Sequence, residues 1–392
     1  MIQRQLEKHL LRLAKQYPVV TLTGPRQSGK TTICKKVFPE YEYVNLEDLE
    51  TRQFAFHDPK GFLNQFQNGV IIDEIQRIPD LTSLIQVIVD NDAKSSKHFI
   101  LTGSQQFEVI NAINQSLAGR SAIARLLPFS YTELYTRDDE PSMSTILYTG
   151  FYPRIHDKNL NPTEALSFYL TTYIERDLRQ LINIRELSTF ERFLKLCAAN
   201  IGQLTNYSQL ANDCGVNQAT VKSWLSLLKA SYIIFELQPH FKNFHKRLTK
   251  SSKIYFYDIG LASYLLGITN QQHIEQHPLK GFLFENFIVC ELIKNRYNNV
   301  RESNLFFFRD HVGNEVDVIL DYGQKLIPIE IKSSQTMNSA FLKGLNYYKK
   351  ISAQPAVESF LIYGGSNSSQ QNGTTIFDFH NLADLYRKLE EV

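Results

Sequence analysis

Apolar residues recur along this chain in two rhythms, and the change between them divides it. Leu6, Leu10, Leu11 and Leu13 fall roughly on one face of a helix expected over residues 3–16. Short β-branched or apolar runs follow at Val19-Val20-Thr21-Leu22-Thr23, Tyr43-Val44-Asn45-Leu46, Val70-Ile71-Ile72, His98-Phe99-Ile100-Leu101 and Ala122 to Leu127. Such runs are those of strands covered on both faces. Five of them alternating with helical stretches predict a parallel sheet flanked by helices. After Leu127 the rhythm turns helical. Pro162-Thr163-Glu164 opens an amphipathic run through Tyr169, Tyr173 and Leu178. Tyr207 to Asn212 and Asn217 to Ala230 read as two helices parted by Asp213-Cys214-Gly215-Val216, and Ile233 to Leu237 as a strand. From Gly281 to Arg296 the pattern is helical again. Strands are expected at Leu305–Phe308, Glu315–Leu320 and Leu326–Lys332, then a helix at Ser339–Lys350 and a strand at Ser359–Tyr363.

A chain of 392 residues exceeds one ordinary core. The expected divisions are residues 1–135 for the parallel sheet, 136–187 for a helical segment, 188–253 for the paired helices and strand, and 254–392 for a second α/β domain. Composition narrows the class: 43% hydrophobic and 21% charged residues fit a globular chain. A net charge of +2 leaves room for a nucleic-acid surface only as a local patch. Cys34, Cys197, Cys214 and Cys290 are scattered, with no C-x-x-C pair, so neither a disulfide framework nor a zinc site is expected. The N-terminus lacks the apolar stretch of a signal peptide, and no run approaches the roughly 18 apolar residues that span a bilayer. The expectation is a cytoplasmic protein with no membrane partner.

The chemistry starts at the end of the first strand. Gly24-Pro25-Arg26-Gln27-Ser28-Gly29-Lys30-Thr31 matches G-x-x-x-x-G-K-[ST] in its required context, between a strand and a helix expected over Thr31 to Val37. Glycines let backbone N–H groups turn toward phosphate oxygens, and the helix offers its positive end to the same anion. ATP would be held by Gly24 to Thr31 and the adjoining Thr32, with Lys30 on the β- and γ-phosphates and Thr31 on Mg²⁺. Val70-Ile71-Ile72-Asp73-Glu74 closes on two carboxylates; Asp73 would serve the Mg²⁺ shell and Glu74 would deprotonate the attacking water. Thr102 and Ser104 could both sense the γ-phosphate or that water from the end of the fourth strand, and Ser104 is preferred. Arg120, on a turn, either neutralises the transferring phosphoryl group, in its own subunit or across an interface between copies, or merely caps a helix.

The paired helices have helix-turn-helix grammar: a glycine turn, then a second helix opening on polar residues that could reach base edges. With the strand after them they predict a winged helix. Gln218, Thr220, Lys222 and Ser223 are the candidate readers. Lys242, Lys246, Arg247, Lys250 and Lys253 interleave with Phe241 and Phe244 and would suit phosphate contact and base stacking. The alternative is a packing module with a solvated basic loop.

In the last third, Glu330 and Lys332 are two apart in a strand and share a face. A two-residue II′ turn at Gly323-Gln324 puts Asp317 directly opposite Glu330. Asp317 and Glu330 could then share Mg²⁺, Lys332 could orient or activate a water, and Glu285 from the preceding helix is a fourth candidate. A salt-bridge cluster on a supporting sheet is the plainer reading.

Several segments together resemble one family. These are G-P-R-Q-S-G-K-T, I-I-D-E-I-Q from Ile71, L-T-G-S-Q from Leu101, S-L-A-G-R from Ser116 and L-P-F-S-Y-T-E-L from Leu127. Tyr173-Ile174-Glu175-Arg176-Asp177-Leu178 and Tyr255-Phe256-Tyr257-Asp258-Ile259-Gly260 continue the likeness. The chain is similar along nearly its whole length to the prokaryotic AAA-type ATPases with a C-terminal DUF4143-like domain of unknown function. That resemblance implies a P-loop fold and ATP use, with a helical lid over 136–187. Asp317, Glu330-Ile331-Lys332 and Glu285 in turn resemble the acidic residue, E-x-K and helix glutamate of the PD-(D/E)-x-K nucleases. This implies a restriction-endonuclease-like α/β domain acting on DNA. The two functions to weigh are an ATPase that drives or gates a nuclease-like domain, and an ATP-dependent switch whose C-terminal domain is a non-catalytic interaction platform.

Overall fold

The computed structural model describes residues 2–91, 97–104, 109, 113, 115–136, 139–173, 187–240, 251–352 and 358–391. By packing, the chain falls into two compact units, residues 1–129 with 230–233 and 296–302, and residues 130–229 with 234–295 and 303–392.

The first unit is built on β1 (Val19–Thr23), β2 (Glu42–Asn45), β3 (Gly69–Asp73), β4 (His98–Gly103) and β5 (Ser121–Arg125), in the order β2-β3-β4-β1-β5. Every pairing is parallel. Successive side chains of a strand point to opposite faces, and here both faces are covered. Val19, Val70, Ile72, Phe99 and Leu101 pack with Phe62, Leu81 and Ile85. Val20, Leu22, Ile71 and Ile100 pack with Leu6, Leu10, Ile33 and Cys34 on the other side. That two-sided burial is why these strands read as unbroken apolar runs. Chain order reverses around β1, and in open parallel sheets ligands sit beyond the carboxyl ends of the strands at such a point. The expected 3–16 helix runs over Glu7–Gln16.

In the second unit, helices Leu187–Ala199, Tyr207–Cys214 and Gln218–Ala230 precede β6 (Ile234–Pro239) and β7 (Lys253–Phe256). Gly215, with φ +72°, caps the first of the paired helices as the turn pattern requires. The sheet continues through β8 (Leu305–Arg309), β9 (Glu315–Asp321), β10 (Leu326–Lys332), β11 (Ser359–Tyr363), β12 (Ser369–Gln371) and β13 (Thr374–Asp378). Its order is β12-β13-β11-β10-β9-β8-β6-β7. The hairpin β6–β7 is therefore part of the C-terminal sheet, joined through Gln238 opposite Phe306. The boundary expected at 253/254 falls at the start of β7, and 136–187, 188–253 and 254–392 share one unit apart from residues 230–233 and 296–302.

The β9–β10 hairpin pairs Asp321 with Leu326 and Val318 with Ile329. This register carries Asp317 to a place opposite Glu330. Tyr322 and Lys325 close a two-residue loop by an N–H···O bond of 2.9 Å. Gly323 has φ +85°, while Gln324 is not among the positive-φ residues, which matches a II′ turn.

Candidate functional site

The loop Gly24 to Thr31 leaves β1 and enters the helix Lys30–Val37. Gly24, Gln27 and Gly29 take φ of +152°, +60° and +92°, so the backbone curls on itself. A Cβ at Gly24 would run into the carbonyl oxygen of Leu126. Lys30 is 6% exposed, and its Nζ donates to the carbonyls of Gly24 at 2.9 Å and Pro25 at 2.8 Å. Burial lowers its pKa against the pull of Glu74 and Asp73. A buried ammonium held by main-chain carbonyls, with no ion pair among the described residues, at a helix N-terminus, is chemically suited to an anionic polyphosphate.

Asp73 ends β3 with its carboxylate among neutral donors. Thr31 Oγ1 at 2.6 Å and Tyr43 OH at 2.9 Å donate to Oδ2, and Thr102 Oγ1 donates to Oδ1. Hydroxyls orient a carboxylate without cancelling its charge, so Thr31 and Asp73 fit a divalent cation beside the loop. Glu74 sits in the left-handed region at φ +59°, a conformation that non-glycine residues adopt at a cost. Its Oε2 accepts from Ser104 Oγ at 3.2 Å and from the Gln76 side-chain amide. Loop, Asp73, Glu74 and Ser104 thus gather at the carboxyl ends of β1, β3 and β4.

Arg120 does not join them within the subunit. It precedes β5, whose first residue Ser121 pairs with Val19, whereas the loop follows Thr23 at the other end of β1. Five strand residues separate the two levels by roughly 16 Å. Arg120 instead pairs with Asp90 at 2.5 and 2.9 Å.

In the second unit, Lys332 Nζ lies 2.6 Å from Glu330 Oε1 and 3.2 Å from Asp317 Oδ2, so the three predicted residues do converge. Asp317 also accepts the Ile331 N–H at 2.8 Å. Glu285 is turned to other partners, Lys253 Nζ at 3.0 Å and Tyr255 OH at 2.5 Å. Lys253, which is 2% exposed, reaches Glu315 as well, at 2.5 Å. Among the described residues no three of His, Cys, Asp and Glu gather as a metal site. Of the expected ligand set, Asp317 and Glu330 are bridged by Lys332, and Glu285 is held by Lys253. Burial and the neighbouring Asp317 push Glu330 up to about 8 against the pull of Lys332. Burial also raises Glu285, opposed by Lys253.

Of the candidate base readers, Gln218, Lys222 and Ser223 are exposed and Thr220 is half-buried. Gln218 Nε2 donates to Ser208 at 2.8 Å, Thr220 Oγ1 to Asn217 at 3.1 Å, and Lys222 lies over the Tyr207 ring. Lys242, Lys246 and Arg247 lie outside the described residues, as does the segment from Ile174 to Leu178.

Family models match three consecutive segments: an AAA domain over residues 16–135, a domain of unknown function (DUF8612) over 140–272, and a second (DUF4143) over 280–382. Uncharacterized protein Rv2008c of Mycobacterium tuberculosis is 32% identical over 340 residues, 85% of this chain and 74% of its own. Its Mycobacterium bovis counterpart matches equally. The chain belongs to this family of AAA-domain ATPases with a DUF4143 domain. Solved structures are similar only loosely. The Walker-type ATPase of Pyrococcus abyssi has a TM-score of 0.45 at 14% identity, covering 67% of this chain and 94% of that one. The RuvB branch migration motor of Thermotoga maritima has 0.32 at 18%, covering 60% and 89%. Likenesses at this level carry no argument about function.

Three residues of this AAA ATPase escaped the sequence reading. Tyr43 lies in the middle of β2, where a tyrosine reads as core. Gln76 follows Glu74 by two residues in a turn whose conformation alone brings its amide back. Lys253 appeared as the last charge of a basic run; its burial comes from β7 pairing with β6, a long-range event that no local pattern signals.

Proposed function

We propose that this ATPase binds ATP with Mg²⁺ at Gly24 to Thr32 and couples its hydrolysis to action on DNA. The observation that carries the first half is the pairing of an anion-poor Lys30 with an Asp73 held by three hydroxyls. Lys30 and the loop amides would bind the β- and γ-phosphates, and Thr31 and Asp73 would hold the metal, which supplies charge neutralisation on the phosphate oxygens. Glu74 would take the proton of the attacking water once Gln76 and Ser104 release its carboxylate. Arg120 would serve only a neighbouring copy, because its own phosphate site is at the far end of the strands.

For the second half, the helix-turn-helix with hairpin β6–β7 supports a winged-helix reading, with Gln218, Thr220 and Lys222 toward DNA. The meeting of Asp317, Glu330 and Lys332 supports a nuclease-like domain. The alternative of a non-catalytic platform is favoured by one specific observation: Lys253 and Tyr255 hold Glu285, and Lys332 already bridges Asp317 and Glu330. Incubating supercoiled plasmid and branched DNA with the full chain, Mg²⁺ or Mn²⁺, and ATP separates the two. Cleavage lost in Lys332→Ala and Asp317→Ala supports the nuclease; absence of cleavage on every substrate, with ATPase unaffected by DNA, leaves the switch.

A further inference from the structure

The N-terminal segment ahead of the Glu7–Gln16 helix carries a residue that no motif singles out. Arg4 is 7% exposed, and its guanidinium joins the phosphate loop to the segment that follows β5. Nη1 donates to the Ser28 carbonyl at 2.9 Å and Nη2 to the Leu127 carbonyl at 2.7 Å, while the group lies 4.8 Å from the centre of the Phe129 ring. The Arg4 backbone is itself fixed. Its N–H donates to Glu7 Oε1 at 2.9 Å, and Glu7 pairs at 2.7 Å with Lys36 in the last turn of the helix that follows the loop.

The consequence follows from peptide geometry. In a planar trans peptide the C=O and the next N–H point to opposite sides. Holding the Ser28 carbonyl toward Arg4 therefore aims the Gly29 N–H to the opposite face of the loop. Gly29 is the residue at φ +92° that opens the helix, so its N–H is one of the unpaired donors on which anion binding at a helix N-terminus depends. Arg4 also flanks Gly29 itself: a Cβ built there would touch Nη1 at an ordinary contact distance of 3.8 Å. We infer that Arg4 is a positioning residue for the phosphate loop. It fixes the Ser28–Gly29 peptide plane and thereby presents the Gly29 amide to the nucleotide phosphates. This rests on the loop being the ATP site.

The test uses the full chain, with ATP and ADP dissociation constants, ATPase KM and kcat, and the melting temperature without ligand. Arg4→Ala should weaken ATP and ADP at least about tenfold and raise KM with them. Arg4→Lys, which keeps the charge but cannot fork to two carbonyls, should lie between it and the unmodified protein. Leu10→Ala is the structural control: it opens a cavity in the same core and should lower the melting temperature while leaving both constants unchanged. Millimolar methylguanidinium should restore part of the affinity of Arg4→Ala and do nothing for Leu10→Ala. If Arg4→Ala does not fold, the Arg4→Lys affinity decides. The inference is overturned if the Arg4 variants bind within twofold of the unmodified chain, or if Leu10→Ala loses affinity equally. An unmodified chain that binds no ATP would sink the loop reading as well.

Discussion

Asp73 is 6% exposed and Glu330 is 7% exposed, and each is a strand carboxylate beside a lysine motif, yet they are compensated in opposite ways. Around Asp73 the donors are the hydroxyls of Thr31, Tyr43 and Thr102, and the nearby Lys30 spends its hydrogen bonds on main-chain carbonyls. Around Glu330 the donors are cations: Lys332 bridges it to Asp317, and Lys253 holds Glu285 and Glu315. A carboxylate oriented by neutral groups keeps its charge for an incoming metal. One matched to a lysine has its counter-ion already, and any further cation must compete with it. The first arrangement leaves the carboxylate without a cationic partner among the described residues, and the second is a cluster whose charges are matched from within.

The largest effect should come from removing the lysine that has no acid partner. Lys30→Ala should abolish nucleotide-dependent stabilisation and reduce hydrolysis at least about a thousandfold, a barrier change near 4 kcal/mol. Glu74→Gln should keep ATP binding and lower kcat by about 10²–10⁴-fold, as expected for loss of a general base. Undiminished turnover in Glu74→Gln would mean that another group takes the proton. Neither change should alter unfolding in the absence of nucleotide by more than about 1–2 kcal/mol, because no ion pair is broken.

At the other cluster the order reverses, with stability as the readout. Lys253→Met removes the cation that Glu285 and Glu315 share, leaving buried Glu285 only the Tyr255 hydroxyl while Glu315 keeps Arg309, and should cost about 3–5 kcal/mol in chemical unfolding of the second unit. ATP affinity should be untouched. A loss below about 1 kcal/mol would show that these acids are solvated or protonated and that the cluster is not held by charge.

How far the sequence foretold this contrast differs between the sites. The loop, Asp73 and Glu74 were legible because a parallel sheet delivers them from consecutive local units, each with its own apolar run. The Asp317–Glu330 register was legible too, since Gly323 fixes a two-residue turn and counting outward does the rest. The occupation of Glu285 was not. It depends on β6 pairing with β8, which carries a strand of one expected domain into the sheet of another. β12, β13 and the helix Leu382–Glu390 were also unread: Ser369-Gln370-Gln371 is an exposed edge with no apolar signal.

A pH series sharpens the comparison next. Burial and Asp317 raise Glu330 to about 8, above an ordinary glutamate in the unfolded chain. A carboxyl with a raised folded pKa favours folding while both states are protonated, and this contribution is lost as pH rises through the folded value. Stability of the second unit should therefore decline between about pH 5 and 8, with a slope from this group of at most about 1.4 kcal/mol per pH unit. Glu330→Gln should flatten that decline, measured by denaturant unfolding at several pH values. An identical slope in the variant would assign the pH dependence to other groups.

The smallest effect should be at Tyr43, and it tests whether neutral donors matter to a carboxylate that keeps its charge. Tyr43→Phe removes one hydroxyl from Asp73 Oδ2 and leaves Thr31 on that oxygen and Thr102 on the other. Loss of one such bond is worth about 0.5–1.5 kcal/mol. If the hydroxyl orients Asp73 toward the metal, the loss should appear as a several-fold higher Mg²⁺ requirement for hydrolysis, with metal-free nucleotide affinity unchanged. If Tyr43 is instead a packing residue of β2, the variant should lower stability and leave the Mg²⁺ dependence where it was. The ring remains in both cases, still flanked by Lys35 at 3.5 Å, so the comparison isolates the hydroxyl.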